Sequence, residues 1–244
     1  MTTQLVLALQ YWEGDEEQAL TLARLLADIE KAQTDQVMLV LARRADCALS
    51  LEARRTQLYC AQKFTTLCVQ SERRETGHPD GCFGLWAGTA AKLYQLWMRG
   101  AIPWEAGRTT FLAEADGGPL SQWWKQRLIA SHDITRRRNL RVTGPVMEHP
   151  FLHVNGNFMM DLSLIGDYPA LMSCPSGVAW DLHQAPILVK EARCSFVIRN
   201  EYDTRDWTPG VLNPLGRETA WLHGCKDESL FDYIRLMLRT MWRT

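Results

Sequence analysis

Two short apolar runs bracket a helical repeat at the start of the chain, and this pattern restricts the fold more than any other feature of the sequence. Residues 5–9 are apolar throughout and are followed by the turn-like Glu13-Gly14-Asp15. For so short a run, that favours a strand over a helix. Ala19, Leu22, Ala23, Leu26 and Ile29 then recur at helical spacing, with Asp15 and Gln18 placed as a capping box. Residues 37–41 repeat the strand signature. The result is strand, helix, strand, with a connection long enough for parallel pairing.

The alternation continues. Residues 49–63 read as a helix and 65–70 as a strand. Residues 81–88 read as a glycine-containing loop leading into a helix over 89–99. Residues 109–113 form the next strand, which runs straight into Glu114-Ala115-Asp116-Gly117-Gly118-Pro119. Such a series predicts an α/β fold: an open, mixed, mostly parallel sheet flanked by helices, with a Rossmann-like nucleotide-binding half and ligands at the strand C-termini. After Pro119 the elements shorten. A helix is expected over 123–130, strands over 142–146, 152–155, 187–190 and 196–199, and helices over 162–171 and 180–184. Leu230, Ile234, Met237, Leu238 and Met241 mark an amphipathic helix at the end. No repeat or linker divides the chain, so one domain over 1–244 is expected.

Charge narrows the partners. Lys plus Arg total 27 and Asp plus Glu 28, which gives no global pull toward nucleic acid or membrane. The seven cysteines are odd in number and none has C-x-x-C spacing. Reduced, packed thiols are therefore expected. Met-Thr-Thr-Gln lacks the basic start of a secretion signal, and no apolar stretch reaches membrane-span length. The expectation is a cytoplasmic protein with no membrane contact.

Glu114 and Asp116 carry the strongest chemical signal. Period two puts both side chains on one face of a strand end. Two carboxylates aimed at one point repel unless a cation lies between them. Manganese and magnesium favour such oxygen ligands and also bind diphosphate. The following Gly-Gly lets the backbone turn away and leaves room for a ligand; an acidic loop is the plainer alternative. In Trp221-Leu222-His223-Gly224-Cys225-Lys226-Asp227, His223 can complete the metal site as a neutral imidazole. Lys226 can neutralise a diphosphate and Asp227 can cap the last helix.

Other segments admit two readings each. Asn155-Gly156-Asn157 suits sugar hydroxyls, because amides both donate and accept, or is an ordinary hairpin turn. Arg136, Arg137, Arg138 and Arg141 form the one basic cluster, a phosphate-backbone site or a solvated face. Trp123 and Trp124 can stack a flipped base or pack beneath a helix.

The opening strand-helix-strand unit, the acidic pair at a strand end and the late histidine resemble, in this order, the glycosyltransferase A family. The pair departs from that family's D-x-D pattern in its first acid, Glu114. The resemblance implies a metal held by Asp116 and His223, with Glu114 assisting or orienting the ribose. It implies a nucleotide base at the end of the first strand, near Gln10, Tyr11 and Trp12, although core packing is the other reading of Tyr11 and Trp12. It implies a donor-binding half over about 1–118 and an acceptor-binding half over about 119–244. By position Asp181 is similar to the acid that takes a proton from the acceptor in inverting members, with a helix N-cap as its other reading; Asp161 and Asp167 compete for the role.

Residues 11–15, 153–157 and 223–227 are further similar to Tyr-Trp-x-Gly-Asp, His-x-Asn-Gly-Asn and His-Gly-x-Lys-Asp of small bacteriophage-encoded glycosyltransferases. This implies UDP-glucose as donor and a hydroxymethylated pyrimidine in DNA as acceptor. A bacterial glycan or small molecule is the alternative acceptor, and a non-catalytic nucleotide-sugar-binding protein the alternative class. A nucleotidyltransferase should carry a basic residue in the loop after the first strand, which Tyr11-Trp12-Glu13-Gly14-Asp15 lacks.

Overall fold

The computed structural model describes residues 3–45, 47–201, 207–225 and 227–242. Its main sheet contains seven strands. In chain order they are β1 (Leu5–Tyr11), β2 (Val37–Arg43), β3 (Thr65–Gln70), β4 (Thr110–Glu114), β6 (Val142–Gly144), β9 (Phe158–Met160) and β10 (Ala192–Cys194). A second sheet joins β5 (Gly117–Pro119), β11 (Ile198–Asn200) and β12 (Trp221–His223), and a small ribbon pairs β7 (Val146–Met147) with β8 (His153–Val154). The helices are α1 (Glu16–Ile29), α2 (Leu51–Cys60), α3 (Asp80–Met98), α4 (Trp104–Gly107), α5 (Trp124–Arg137), α6 (Ser163–Asp167), α7 (Trp180–His183), α8 (Ala185–Glu191), α9 (Pro209–Leu215) and α10 (Ser229–Thr240).

The strand order is β10-β6-β9-β4-β1-β2-β3, and only β9 runs against its neighbours. The chain winds outward from β1 through β2 to β3, then returns to lay β4 on the other side of β1. That reversal opens a crevice at the C-terminal ends of β1 and β4, the place where open α/β sheets bind ligands. Register brings Gln10 opposite Glu114 at its floor.

β1 is buried along its whole length, as a central strand covered on both faces should be. Leu5, Leu7, Leu9 and Tyr11 pack on one face with Ala19, Leu22, Ala23 and Leu26 of α1. Val6 and Ala8 pack on the other with Phe83, Trp86, Ala87 and Ala90 of α3. Each fully buried large aliphatic chain contributes about 1.5–3 kcal/mol. Ser50 caps α2, its hydroxyl accepting from the Ala53 amide at 2.9 Å.

Several elements differ from expectation. Residues 81–88 are helix, not loop. Gly81, Gly84 and Gly88 form a stripe along α3, and a side-chain carbon on each would meet Thr76, Glu75 and Ser71 respectively. The glycines let the segment leaving β3 cross the helix closely. Residues 187–190 belong to α8 rather than a strand: Pro186 stands in its first turn, and Ala185 and Leu188 face the core one turn apart. α5 extends to Arg137, and the helix expected over 162–171 divides into α6 and a 3-10 turn at Pro169–Met172. Asp15 does not cap α1 with its side chain. Its carboxylate instead accepts from the Trp12 amide at 2.7 Å. All seven cysteines are free thiols. Among the described residues no helix is long and apolar enough to cross a membrane.

Candidate active site

Glu114 is the last residue of β4, and Asp116 follows in the turn into β5. The sheet formed by β5 and β12 then delivers the third group. β12 pairs antiparallel to β5 with His223 opposite Gly117. This places the imidazole Nε2 2.8 Å from Asp116 Oδ1 and 2.9 Å from Glu114 Oε2. His223 is buried, whereas the Glu114 side chain is about half exposed, at 46%. Burial disfavours the charged ring, but the hydrogen bonds and charges of Asp116 and Glu114 outweigh it and push the His223 pKa up to about 9.

The Gly-Gly after Asp116 does not leave room for a ligand. A side-chain carbon at Gly117 would lie 2.8 Å from the Leu222 carbonyl oxygen, and one at Gly118 would press on Ile234 and Leu230. Both glycines serve close packing of β5 against β12 and α10. Gly224 is bound more tightly still: φ is +96° and a side-chain carbon would fall 1.7 Å from the Glu201 carbonyl oxygen.

Glu114, Asp116 and His223 each offer a ligand atom, all within 4.8 Å of one another. Two carboxylates and an imidazole are a fitting donor set for manganese or magnesium. Glu114 and Asp116 line a cleft of about 430 Å³ that also takes in Gln10, Trp12, Asp15, Arg44 and Trp86, while the buried His223 is outside its lining. Gln10 is buried, and its Oε1 has no hydrogen-bond partner, an acceptor free for a ligand. Trp12 is exposed at the mouth, with the Arg44 guanidinium 5.5 Å over its ring. The Asp15 carboxyl is pushed up to about 6 by burial and, to a lesser degree, by the negative charges of Glu114 and Asp116.

Other sequence-predicted residues sit elsewhere. Tyr11 turns into the core beneath α1. Asn157 is wholly buried, and its Oδ1 accepts from the Glu114 amide at 3.1 Å. Asn155 Oδ1 in turn accepts from the Asn157 amide at 3.4 Å. The Asn-Gly-Asn segment is not a hairpin turn, because β8 pairs with β7 and not with β9. It supports the acidic pair from below, with Gly156 against the Trp180 ring. Trp180 stacks on Trp86 at 4.3 Å, which ties α7 to the cleft wall. Asp181 follows on α7, outside the cleft lining; its carboxylate accepts from the Leu182 amide at 2.9 Å. Trp123 is exposed and outside the lining, while Trp124 packs in the core against Trp221. Lys226 lies outside the described residues.

The competitors of Asp181 are engaged in ion pairs. Asp161 is buried against Arg108, and Asp167 pairs with Arg141. Two arginines of the basic cluster are ion-paired: Arg136 with Glu105 and Asp133, and Arg141 with Asp167 and Glu191. Arg141 immediately precedes β6, whose first residue is level with Met160 and hence with Thr110 at the start of β4. Arg141 therefore sits at the opposite end of the strands from Glu114, about 15 Å away along the strand direction.

The molecule's architecture has counterparts among solved structures. Mouse xyloside xylosyltransferase 1 superposes with a TM-score of 0.51 at 11% identity, over 92% of this chain and 98% of that one. The glycosyltransferase GlyE of Streptococcus pneumoniae superposes with a TM-score of 0.54 at 10% identity, over all of this chain (100%) and 62% of that one. The fold is that of the glycosyltransferase A type. At such identities the likeness concerns the fold alone. No protein-family model and no curated protein sequence matches the chain.

Within this glycosyltransferase A-like fold, the sequence reading missed three contributors. Asp15 and Arg44 line the cleft from the turns after β1 and β2. Asn200 holds the far side of His223, its Oδ1 3.0 Å from Nδ1. Asp15 stood in a segment already singled out for resemblance, but Asn200 carried no local signal, because its role depends on the pairing of β11 with β12.

Proposed function

We propose that this chain is a metal-dependent glycosyltransferase that moves a hexose, glucose, from a UDP-sugar to a hydroxyl acceptor. One observation carries the reading: two carboxylates and an imidazole converge at the switch-point crevice of a glycosyltransferase A-like sheet. Glu114, Asp116 and His223 would hold manganese or magnesium, which supplies positive charge to the diphosphate leaving group. Gln10 offers its unpartnered Oε1 to the donor nucleotide at the crevice floor, and Trp12 with Arg44 borders the mouth. The first half of the chain thus binds donor, while the second half contributes His223 and the acceptor side. If the anomeric centre inverts, Asp181 is the base for the acceptor hydroxyl, carried on the helix that stacks against the cleft through Trp180 and Trp86.

The motif resemblance argues for a 5-hydroxymethylpyrimidine in phage DNA as acceptor. The placement of the arginine cluster favours the second reading, a glycan or small molecule: Arg136 and Arg141 are held in ion pairs, and Arg141 lies at the opposite end of the strands from Glu114. Incubation with UDP-glucose and Mn²⁺ in the presence of hydroxymethylated DNA, plain DNA or a glycan panel separates the two. A hexose mass on the modified nucleoside supports the DNA acceptor. Its absence, with transfer to a glycan, supports the second reading.

A further inference from the structure

His223 reaches the acidic pair through one ring nitrogen only, which leaves the other to fix its state. Nε2 faces Glu114 and Asp116 at 2.9 and 2.8 Å, and Nδ1 faces Asn200 Oδ1 at 3.0 Å. A neutral imidazole carries one proton, and the nitrogen that holds it cannot bind a cation. A carbonyl oxygen can only accept. Without metal the Nε2 proton is shared with the two carboxylates; when a cation displaces it, Asn200 Oδ1 holds the remaining proton on Nδ1 and the Nε2 lone pair is left for the cation. Turning the amide over would set its NH2 against Nδ1, move the ring proton to Nε2 and close the ligand position.

The backbone enforces this contact. β11 runs parallel to β12 with Asn200 in register with His223. The next amide, that of Glu201, donates to the His223 carbonyl at 2.8 Å. Gly224 admits the Glu201 carbonyl at a distance no side chain would allow. Asn200 Nδ2 is buried and has no hydrogen-bond partner, so the side chain forgoes one hydrogen bond in the orientation that serves His223. Side chains kept at such a cost are characteristic of groups that orient a ligand.

We infer that Asn200 is a positioning residue that selects the metal-binding tautomer of His223 and holds the ring on the acidic pair. This rests on the proposed metal site, and the test separates the two. The probe is Mn²⁺ alone, added to the full chain, with free Mn²⁺ followed by electron paramagnetic resonance and the bound ion by nitrogen spin-echo modulation. Asn200→Ala should bind Mn²⁺ about 10- to 100-fold more weakly and lose the histidine nitrogen coupling. Asn200→Asp, which keeps an acceptor at the same place, should retain both. In the Mg²⁺-loaded wild type, ¹⁵N spectra should show the His223 proton on Nδ1, a readout that needs no Asn200 variant to fold. Wild-type affinity and coupling in Asn200→Ala, equal loss in Asn200→Ala and Asn200→Asp, or a proton on Nε2 would each overturn the inference. The metal site itself survives those results provided Asp116→Ala abolishes binding. A wild type that binds no Mn²⁺ overturns both.

Discussion

Asp116 and His223 meet at 2.8 Å because β5 and β12 are paired so that His223 lies opposite Gly117. Neither strand exceeds three residues, yet together they close the gap between the end of the central sheet and the C-terminal region. The contact ties the protonation of one buried ring to metal binding and to stability.

Without metal, His223 has a folded pKa of about 9 against an ordinary value of 6.5. A raised pKa means the folded state holds the proton more tightly. The stabilisation is fully present below pH 6.5 and is lost as pH rises toward 9, a change of at most about 3 kcal/mol. A cation competes with that proton, so Mn²⁺ affinity should rise up to about tenfold per pH unit between 7 and 9. Urea unfolding in chelator at pH 6 and pH 9 measures the first effect and calorimetric titration the second. An unchanged pH dependence in His223→Gln would contradict the assignment.

Asp15 has the opposite sense for a carboxyl. Burial, helped by Glu114 and Asp116, raises it from 3.8 to about 6. The folded state favours the neutral acid, so stability falls as pH rises from 4 to 6. Asp15→Asn keeps an oxygen for the Trp12 amide and should be more stable at pH 7 by about 1 kcal/mol after screening by solvent. The gain should vanish below pH 4. Denaturant midpoints across that range provide the check.

Much of this arrangement was legible in the sequence, and the failures have physical causes. Residues 5–9 and 37–41 revealed buried parallel strands because their apolar runs are short and bounded. Glu114 and Asp116 were legible because they are close in sequence at a strand end, although Asp116 lies in the turn beyond β4. The α3 stripe was hidden because glycine ordinarily punctuates a chain, whereas Gly81, Gly84 and Gly88 recur at helical spacing and serve the crossing of residues 71–76. Residues 187–190 were misread because Ile187 and Val189 favour strands while Pro186 starts a helix. The contact of Asn157 with the Glu114 amide was not legible, because it is set by register between distant strands. No local pattern encodes such a register.

Gly224 tolerates no side chain. Gly224→Ala would force a left-handed backbone on alanine and drive its methyl group into the Glu201 carbonyl. The cost should be at least about 2 kcal/mol, read by chemical denaturation. Displacement of His223 should also lower Mn²⁺ affinity. A variant as stable as wild type would contradict the packing described.

Asn157→Ala removes the acceptor from the partly buried Glu114 amide and should destabilise the fold by about 1 kcal/mol, whereas Asn157→Asp keeps the acceptor. Thermal unfolding of the two variants should separate them. Equal loss would assign Asn157 to packing alone.

The central claim is that the acidic pair and His223 form a metal-dependent sugar-transfer site. It is tested most directly by following UDP release from UDP-glucose, within a panel of nucleotide sugars, with and without Mn²⁺. Wild type should release nucleotide only with the cation, and Asp116→Ala should lose at least about 100-fold of the rate. If no nucleotide sugar is consumed, or if Asp116→Ala is as active as wild type, the account is wrong.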